Sequence, residues 1–165
     1  MKKILVAVDF SEGTGRLVNQ ALELGKELGG TIYVVHVTSD ALQAAYESTQ
    51  FYDFSSEYIS ASPGDVEMAR TLCAEEYRRE HQSLLNISAR MRKDGVDARA
   101  MLLKGDAAEL IVEKARELAV DMIVVGSHGH GILRKMLIGS VTEAVLRKAL
   151  CSVLIVPVTK PVPVL

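Results

Sequence analysis

The sequence is poor in the residues that mark disulfide-rich and metal-binding proteins. It has 2 cysteines among 165 residues, and neither Cys73 nor Cys151 lies in a CxxC motif or beside a histidine. A disulfide framework and a cysteine-based metal or redox site are therefore not indicated. The H-x-H pair of His128 and His130 has no third ligand suggested nearby, so we expect no metal site. A reduced, cytoplasmic protein is the expectation.

Long apolar runs and an excess of positive charge are also missing. The first apolar run, residues 4–8, follows two lysines as in a signal peptide, but Asp9 ends it well short of a secretory core. No other run has the length of a membrane span. The net charge is -2, and the basic residues of 78–93 lie among acidic ones, which is typical of a solvated helix face. We expect neither a membrane nor a nucleic acid as partner.

What is present is an alternation of apolar runs with helical periodicity. A chain of 165 residues with 48% hydrophobic residues fits one domain, 1–165. Strands alternating with helices predict parallel pairing with right-handed crossovers. The fold class is therefore α/β, with an open five-stranded parallel sheet, helices on both faces and a Rossmann-like, doubly wound order. The predicted strands are 4–8, 31–37, 97–103, 122–125 and 152–156.

The predicted helices have recognisable ends. Leu17, Ala21, Leu24 and Leu28 recur at helical spacing before Gly29-Gly30, where a left-handed residue ends a helix. A long helix begins at the turn 62–65 and ends near Gly95. Asp106 and Glu109 form a capping pattern for the next helix, and 140–150 is the last.

Two segments do not fit this alternation. The stretch 38–64 contains five of the eight aromatic residues, and we expect it to be irregular. Its aromatics are suited either to a lid over the sheet or to an interface with another protein. The tail 157–165 contains three prolines and cannot continue inside a sheet.

Two predicted strand ends carry residues suited to a ligand site. Open α/β sheets bind ligands outside the carboxyl ends of strands, where the strand order reverses. Asp9 follows the first strand, and residues 126–129 (GSHG) follow the fourth. Glycines let backbone amides approach a phosphate, and Gly139-Ser140 opens a helix whose free amides face the same anion. A second interpretation stays open, in which Gly126 ends a strand and 140–143 is a capping box.

The spacing of the glycines resembles a known nucleotide-binding motif. In the ATP-binding branch of the universal stress protein family, G-x-x-G is followed by nine residues and then by G-S or G-T. The matching residues are Gly126, Gly129, Gly139 and Ser140. The opening KKILVAVDFSE, the second strand ending in VHV, the block DMIVVGSHG and the closing GSVTEAVLRKALCSVLIVPV also resemble the family.

The resemblance implies ATP, with or without Mg²⁺ or Mn²⁺, in the crevice at the carboxyl end of the sheet. The residues that it implies for nucleotide contact are Asp9, Val37, Val125, Gly126, Gly129, Gly139, Ser140 and Val141. Asp9 is assigned to the adenosine portion, since an ionised carboxylate accepts hydrogen bonds and repels phosphate. A compatible second role for Asp9 is to accept hydrogen bonds from the free amides near Ser11, at the approach to the following helix.

The resemblance also implies a homodimer joined through the last strand, Ser152–Val156, whose apolar edge would otherwise be exposed. The function expected is that of an ATP-binding regulator in a stress response, with an unidentified protein partner. No catalytic residue is indicated, because a Walker loop, a nucleophile elbow and a general base beside the glycines are all missing. Two alternatives stay open: an interaction module that binds no nucleotide, and a slow ATP hydrolase or autophosphorylating protein.

Overall fold

The computed structural model describes residues 2–38, 63–127 and 138–158. The strands are β1 (Lys3–Ala7), β2 (Thr31–Thr38), β3 (Asp97–Lys104), β4 (Met122–Gly126) and β5 (Ser152–Val156). The helices are α1 (Thr14–Leu28), α2 (Pro63–Lys93), α3 (Ala107–Glu117) and α4 (Ser140–Lys148). Most of the aromatic-rich segment and the tail beyond 158 lie outside the described residues, so the predictions made for them stay predictions.

The strands form one parallel sheet in the order β3-β2-β1-β4-β5, which confirms the predicted fold class. β1 lies at its centre, where Ile4 pairs with Ile32 of β2 on one side and with Met122 of β4 on the other. The chain leaves β1 toward β2 and β3 and then returns to the opposite side for β4 and β5. The order therefore reverses between β1 and β4, as it does in doubly wound sheets.

Both faces of the sheet are covered by helices, and each covered face is an apolar core. On one face Ile4 and Val6 of β1 pack with residues of α1 and α2, including Leu84 and Met91. On the other face Leu5 packs with residues of α3 and α4. Successive side chains of a strand point to opposite faces, so a strand covered on both sides must be apolar at every position. This explains the continuous run that begins the sequence.

The helix ends agree with the capping signals, with two corrections. α1 stops at Gly29, which has a left-handed φ of 58°, and Asp106 accepts a hydrogen bond from the amide of Glu109 at 2.8 Å. Leu28, predicted on the buried face of α1, is 44% exposed. The buried face of the helix passes through Leu22 and Gly25 instead. The last helix ends at Lys148, two residues earlier than predicted.

Candidate functional site

A crevice of about 810 Å³ lies at the carboxyl edge of the sheet, where β1 and β4 diverge. This volume falls within the range of small-molecule sites, which is roughly 300–1,000 Å³. Its walls come from the ends of β1, β2 and β4, the first turns of α1 and α4, and the middle of α2. The strand-end position predicted from the sequence is therefore a cavity large enough for a nucleotide.

The turn from β1 into α1 is organised by Asp9. Its Oδ1 accepts hydrogen bonds from the amide of Ser11 at 3.0 Å, from the Ser11 hydroxyl at 2.7 Å and from the Thr14 hydroxyl at 3.4 Å. Phe10, between these residues, has a left-handed φ of 57°, a conformation that costs free energy for a residue with a side chain. Asp9 thus accepts hydrogen bonds at the approach to α1, as its second predicted role requires, and it also lines the crevice.

The start of α4 is open to the crevice. Gly139 is the N-cap with φ -71° and ψ 155°, and no side chain of the described residues is seen to cap the helix. The capping-box interpretation of 140–143 is therefore wrong: the helix begins at Ser140 itself, so Ser140 cannot also stand outside it as the cap. Ser140, Val141 and Thr142 occupy the first turn, whose amides have no acceptor within the helix, and all three line the crevice.

Two hydrogen bonds fasten this helix start to the end of β4. The amide of Gly139 donates to the carbonyl of Ser127 at 2.7 Å. The hydroxyl of Thr142 donates to the carbonyl of Gly126, also at 2.7 Å. The sequence motif thus places the end of β4 and the first turn of α4 side by side, although ten of the residues that separate them, 128–137, lie outside the described part of the chain.

The structure brings most of the predicted site residues to this one crevice. Those that line it are Asp9, Val37, Val125, Gly126, Gly139, Ser140 and Val141. Gly129, the remaining predicted residue, lies outside the described residues. Val125 is 3% exposed and belongs mainly to the core, whereas Val141 is 40% exposed.

Sequence reasoning missed the contribution of α2 and the strand-two histidine. His36 is 8% exposed; its Nδ1 lies 2.7 Å from the carbonyl oxygen of Val8, and its Nε2 lies 3.2 Å from Oε1 of Glu80 on α2. The ring of Phe10 lies against the imidazole, with 4.5 Å between centroids. Glu76, Glu80 and Ser83 all line the crevice, and their spacing of four and three residues on one helix was the available signal.

The beginning of the tail closes one end of the crevice. Val158 lines it, and the amide of Val158 donates to the hydroxyl of Ser127 at 3.3 Å. A Cβ built on Gly13 would lie 2.2 Å from the Cβ of Val158, so only glycine fits there. The guanidinium of Arg16 donates to the carbonyl of Pro157 at 3.1 Å. The tail thus starts across the first turn of α1.

Two titratable groups with displaced pKa values lie at the opposite, amino edge of the sheet. The backbone amide of Lys3, and after it the side chain of Lys2, hold the pKa of Asp121 below its ordinary value of 3.8. Burial, followed by the charge of Asp121, raises the pKa of the Cys151 thiol above 9.0. Within the described ranges, no three His, Cys, Asp or Glu side chains are grouped to hold a metal ion. No helix there is long and apolar enough to cross a membrane.

Comparison with known proteins gives a consistent match over the chain. Residues 1–157 match the model of the Universal stress protein family. Universal stress protein A homolog 2 of Coxiella burnetii is 34% identical over 157 residues, which is 94% of each chain. The structure of the hypothetical protein MJ0577 is 27% identical with a TM-score of 0.72 and covers 98% of both chains. The universal stress protein of Archaeoglobus fulgidus in complex with dAMP is 23% identical with a TM-score of 0.59, and covers 94% of this chain and 97% of that one.

Proposed function

We propose that this chain, which belongs to the universal stress protein family, binds an adenine nucleotide such as ATP in the crevice between β1 and β4. The observation that carries the proposal is the uncapped start of α4, where three first-turn residues line a crevice of nucleotide size. Backbone amides and the positive end of the helix dipole suit a phosphate at this position. The Archaeoglobus fulgidus protein has the same fold and is complexed with dAMP, so a protein of this fold can bind an adenylate.

The orientation of the nucleotide follows from the charges at the two ends of the crevice. Asp9 at the end of β1 favours the ribose or the adenine amino group, since an ionised carboxylate accepts hydrogen bonds and repels phosphate. Val37, which is partly exposed, supplies apolar surface for the base, whereas Val125 is 3% exposed and directly precedes Gly126 at the phosphate end. Gly126, Gly139, Ser140 and Val141 surround the amides that would hold the phosphates. Gly129 belongs to the same proposed set, and a Mg²⁺ or Mn²⁺ ion would accompany the nucleotide rather than reside in the protein.

Binding, rather than hydrolysis, is the proposed activity. Among the residues that the structure describes, the crevice-lining groups that could act as bases are Asp9, His36, Glu76 and Glu80. Asp9 already receives three hydrogen bonds through Oδ1, and the imidazole of His36 lies between Val8 and Glu80. We therefore propose that nucleotide occupancy regulates a partner protein, through a conformation that binds the nucleotide more tightly than its alternative does.

The test is a calorimetric titration of nucleotide-free protein with ATP, AMP and GTP in magnesium, alongside Ser140→Asp. Ser140 is exposed, and a carboxylate in the first turn of a helix favours folding while it repels phosphate. At an effective dielectric constant of about 20, two unit charges about 5 Å apart repel by roughly 3 kcal/mol, which is about a hundredfold in affinity.

The matched control is Asn19→Asp, which adds the same charge on α1 and keeps an acceptor for Arg90. We expect saturable ATP binding by the parent and by Asn19→Asp, and its loss in a folded Ser140→Asp variant. Equal ATP affinity in all three proteins would show that the phosphates do not lie at α4. Absence of binding by the parent would overturn the proposal and favour an interaction module.

We also propose a homodimer formed through β5. β5 ends the sheet, and its backbone pairs only with β4 within the described residues. Val153, Leu154 and Ile155 are only half-buried, and Leu150, just before the strand, is 82% exposed. Exposed apolar strand edges are usually covered by a partner. The β5 strand of a second copy of the chain would supply such a partner.

Sedimentation at micromolar concentration tests the dimer. We expect twice the chain mass for the parent and for Leu72→Glu, a control at an exposed leucine on α2, and a shift toward monomer for Leu150→Glu. A monomeric mass for the parent protein would contradict the proposed dimer.

A further inference from the structure

Each ring nitrogen of His36 lies close to an oxygen atom, the carbonyl oxygen of Val8 at Nδ1 and a carboxylate oxygen of Glu80 at Nε2. Nδ1 lies 2.7 Å from the carbonyl oxygen of Val8, and a carbonyl has no hydrogen to give, so Nδ1 carries one. Nε2 lies 3.2 Å from Oε1 of Glu80. The two side chains are 9% and 19% exposed. Among the described residues, Nε2 of His36 and Oε2 of Glu80 have no hydrogen-bond partner, so the 3.2 Å approach of Nε2 to Oε1 is a contact between charges or lone pairs without a formed hydrogen bond.

The contact requires one proton more than a neutral histidine and an ionised glutamate possess. A neutral imidazole with hydrogen on Nδ1 presents a lone pair at Nε2, and a carboxylate presents only lone pairs. Two such acceptors facing each other away from water are unfavourable, because neither recovers the hydrogen bonds lost on burial. One proton taken from solvent removes the conflict, either on Nε2 or on the carboxyl group. In both cases the net charge of the pair is zero instead of -1.

We propose that His36 and Glu80 share one proton, and that this proton couples nucleotide affinity to pH by holding α2 against the nucleotide crevice. The inference rests on the proposed function, since it names a regulation of the same site. Both residues act as positioning residues. They line the crevice and are not assigned a contact with the nucleotide.

The pair is placed to transmit its state to the nucleoside end of the crevice. His36 touches Val8 through the carbonyl and Phe10 through the ring, and these residues flank Asp9 on both sides. Glu80 belongs to the stretch of α2 that forms a wall of the crevice. Loss of the proton removes the attraction between α2 and β2 at this point. The Asp9 turn and the α2 wall then lose a common support.

The change in the net charge of the pair predicts the same direction of effect on nucleotide affinity. The charged residues that line the same crevice are Asp9 from the β1–α1 turn and Glu76 and Arg79 from α2. β3 contributes Lys104, two residues beyond Leu102, the partner of His36 in the sheet. Release of the proton leaves one more negative charge in a crevice proposed to hold a polyphosphate. Both the loss of attraction between α2 and β2 and the added negative charge therefore predict weaker nucleotide binding as the pH rises.

The experiment measures the dissociation constant of ATP from about pH 5 to about pH 8, the interval in which histidine side chains commonly change charge. Three proteins are compared: the parent, Glu80→Gln, and Glu75→Gln as a control that removes the same charge from an exposed position on α2. Glutamine at 80 can donate an N–H to neutral Nε2, which keeps the contact without a proton. The titration of the ATP phosphates is common to all three proteins and cancels in the comparison.

For the parent and for Glu75→Gln, we expect the dissociation constant of ATP to rise more steeply with pH than for Glu80→Gln. The difference in slope can reach about tenfold per pH unit, since one linked proton contributes a factor of ten per unit. Parallel pH profiles for all three proteins would overturn the proposal.

A second measurement needs neither nucleotide nor variant. In the nucleotide-free parent, the ring nitrogens of His36 and the carboxyl carbon of Glu80 are followed by NMR over the same pH range. We expect one proton to be bound and lost by the two groups together. A neutral His36 facing an ionised Glu80 at the acid end of the range would contradict the shared proton. This readout still tests the shared proton if the protein binds no nucleotide, a result that would refute the proposed function and the coupling but not the shared proton.

Discussion

Replacing Thr142 with valine tests whether the start of α4 must stay tied to the end of β4. Thr142 is 6% exposed, and its hydroxyl donates to the carbonyl of Gly126 at 2.7 Å. Valine keeps the shape and removes the donor. Loss of one partner of a buried hydrogen bond costs about 1–3 kcal/mol, and for a chain of this size each kcal/mol lowers Tm by about 2–4 °C.

The same substitution should weaken ATP binding by about tenfold, equivalent to about 1.4 kcal/mol, because the first turn of α4 loses the bond that fixes it beside the glycines. The assays are thermal unfolding and calorimetric titration. Thr142→Ser keeps the hydroxyl and serves as the control, with near-parental affinity. Unchanged Tm and affinity in Thr142→Val would refute the reasoning, while a lower Tm with unchanged affinity would show that the bond serves stability alone.

Three further substitutions test the fold independently of the crevice. Gly30→Ala should lower the free energy of unfolding by about 1–3 kcal/mol in denaturant titration, because its Cβ would lie 2.6 Å from the carbonyl oxygen of Lys2. Asp106→Ala should lower the free energy of unfolding by about 1 kcal/mol, because α3 loses its N-cap. Asp106→Asn should keep most of the stability of the parent, because asparagine also caps helices. Asp121 has a lowered pKa in the folded protein, so its contribution to stability is complete above 3.8 and is lost as the pH falls through the lowered value. Asp121→Asn should therefore flatten the acid side of a plot of Tm against pH.

The fold was predictable because its signals are local. Continuous apolar runs such as residues 4–8 appear only where a strand is covered on both faces, and Gly29 ends α1 at the residue where a left-handed conformation is required. The face of α1 was predicted less well at Leu28, because the spacing of the leucines does not show that the buried face passes through Leu22 and Gly25.

The glycine motif and Asp9 were found because each lies next to a strand end in the sequence. The role of Glu80 was not, because its partner His36 is 44 residues away and the contact depends on how α2 crosses the sheet. Arg79 likewise read as part of a solvated helix face, although it lines the crevice. The pattern of Ser140, Thr142 and Glu143 was equally compatible with a capping box, and only the helix start at Ser140 decided against it.

The most direct test of the central claim is to locate the nucleotide by NMR. Amide correlation spectra of the full chain are recorded during titration with ATP and magnesium. The account predicts saturable shifts for the amides of Ser140 and Val141 in α4, of Ser11 beside Asp9 and of Val37 at the end of β2. The amides of Lys3 and Asp121 at the opposite edge of the sheet should stay unchanged. Shifts confined to that opposite edge, or no saturable shift at millimolar ATP, would contradict nucleotide binding in the crevice.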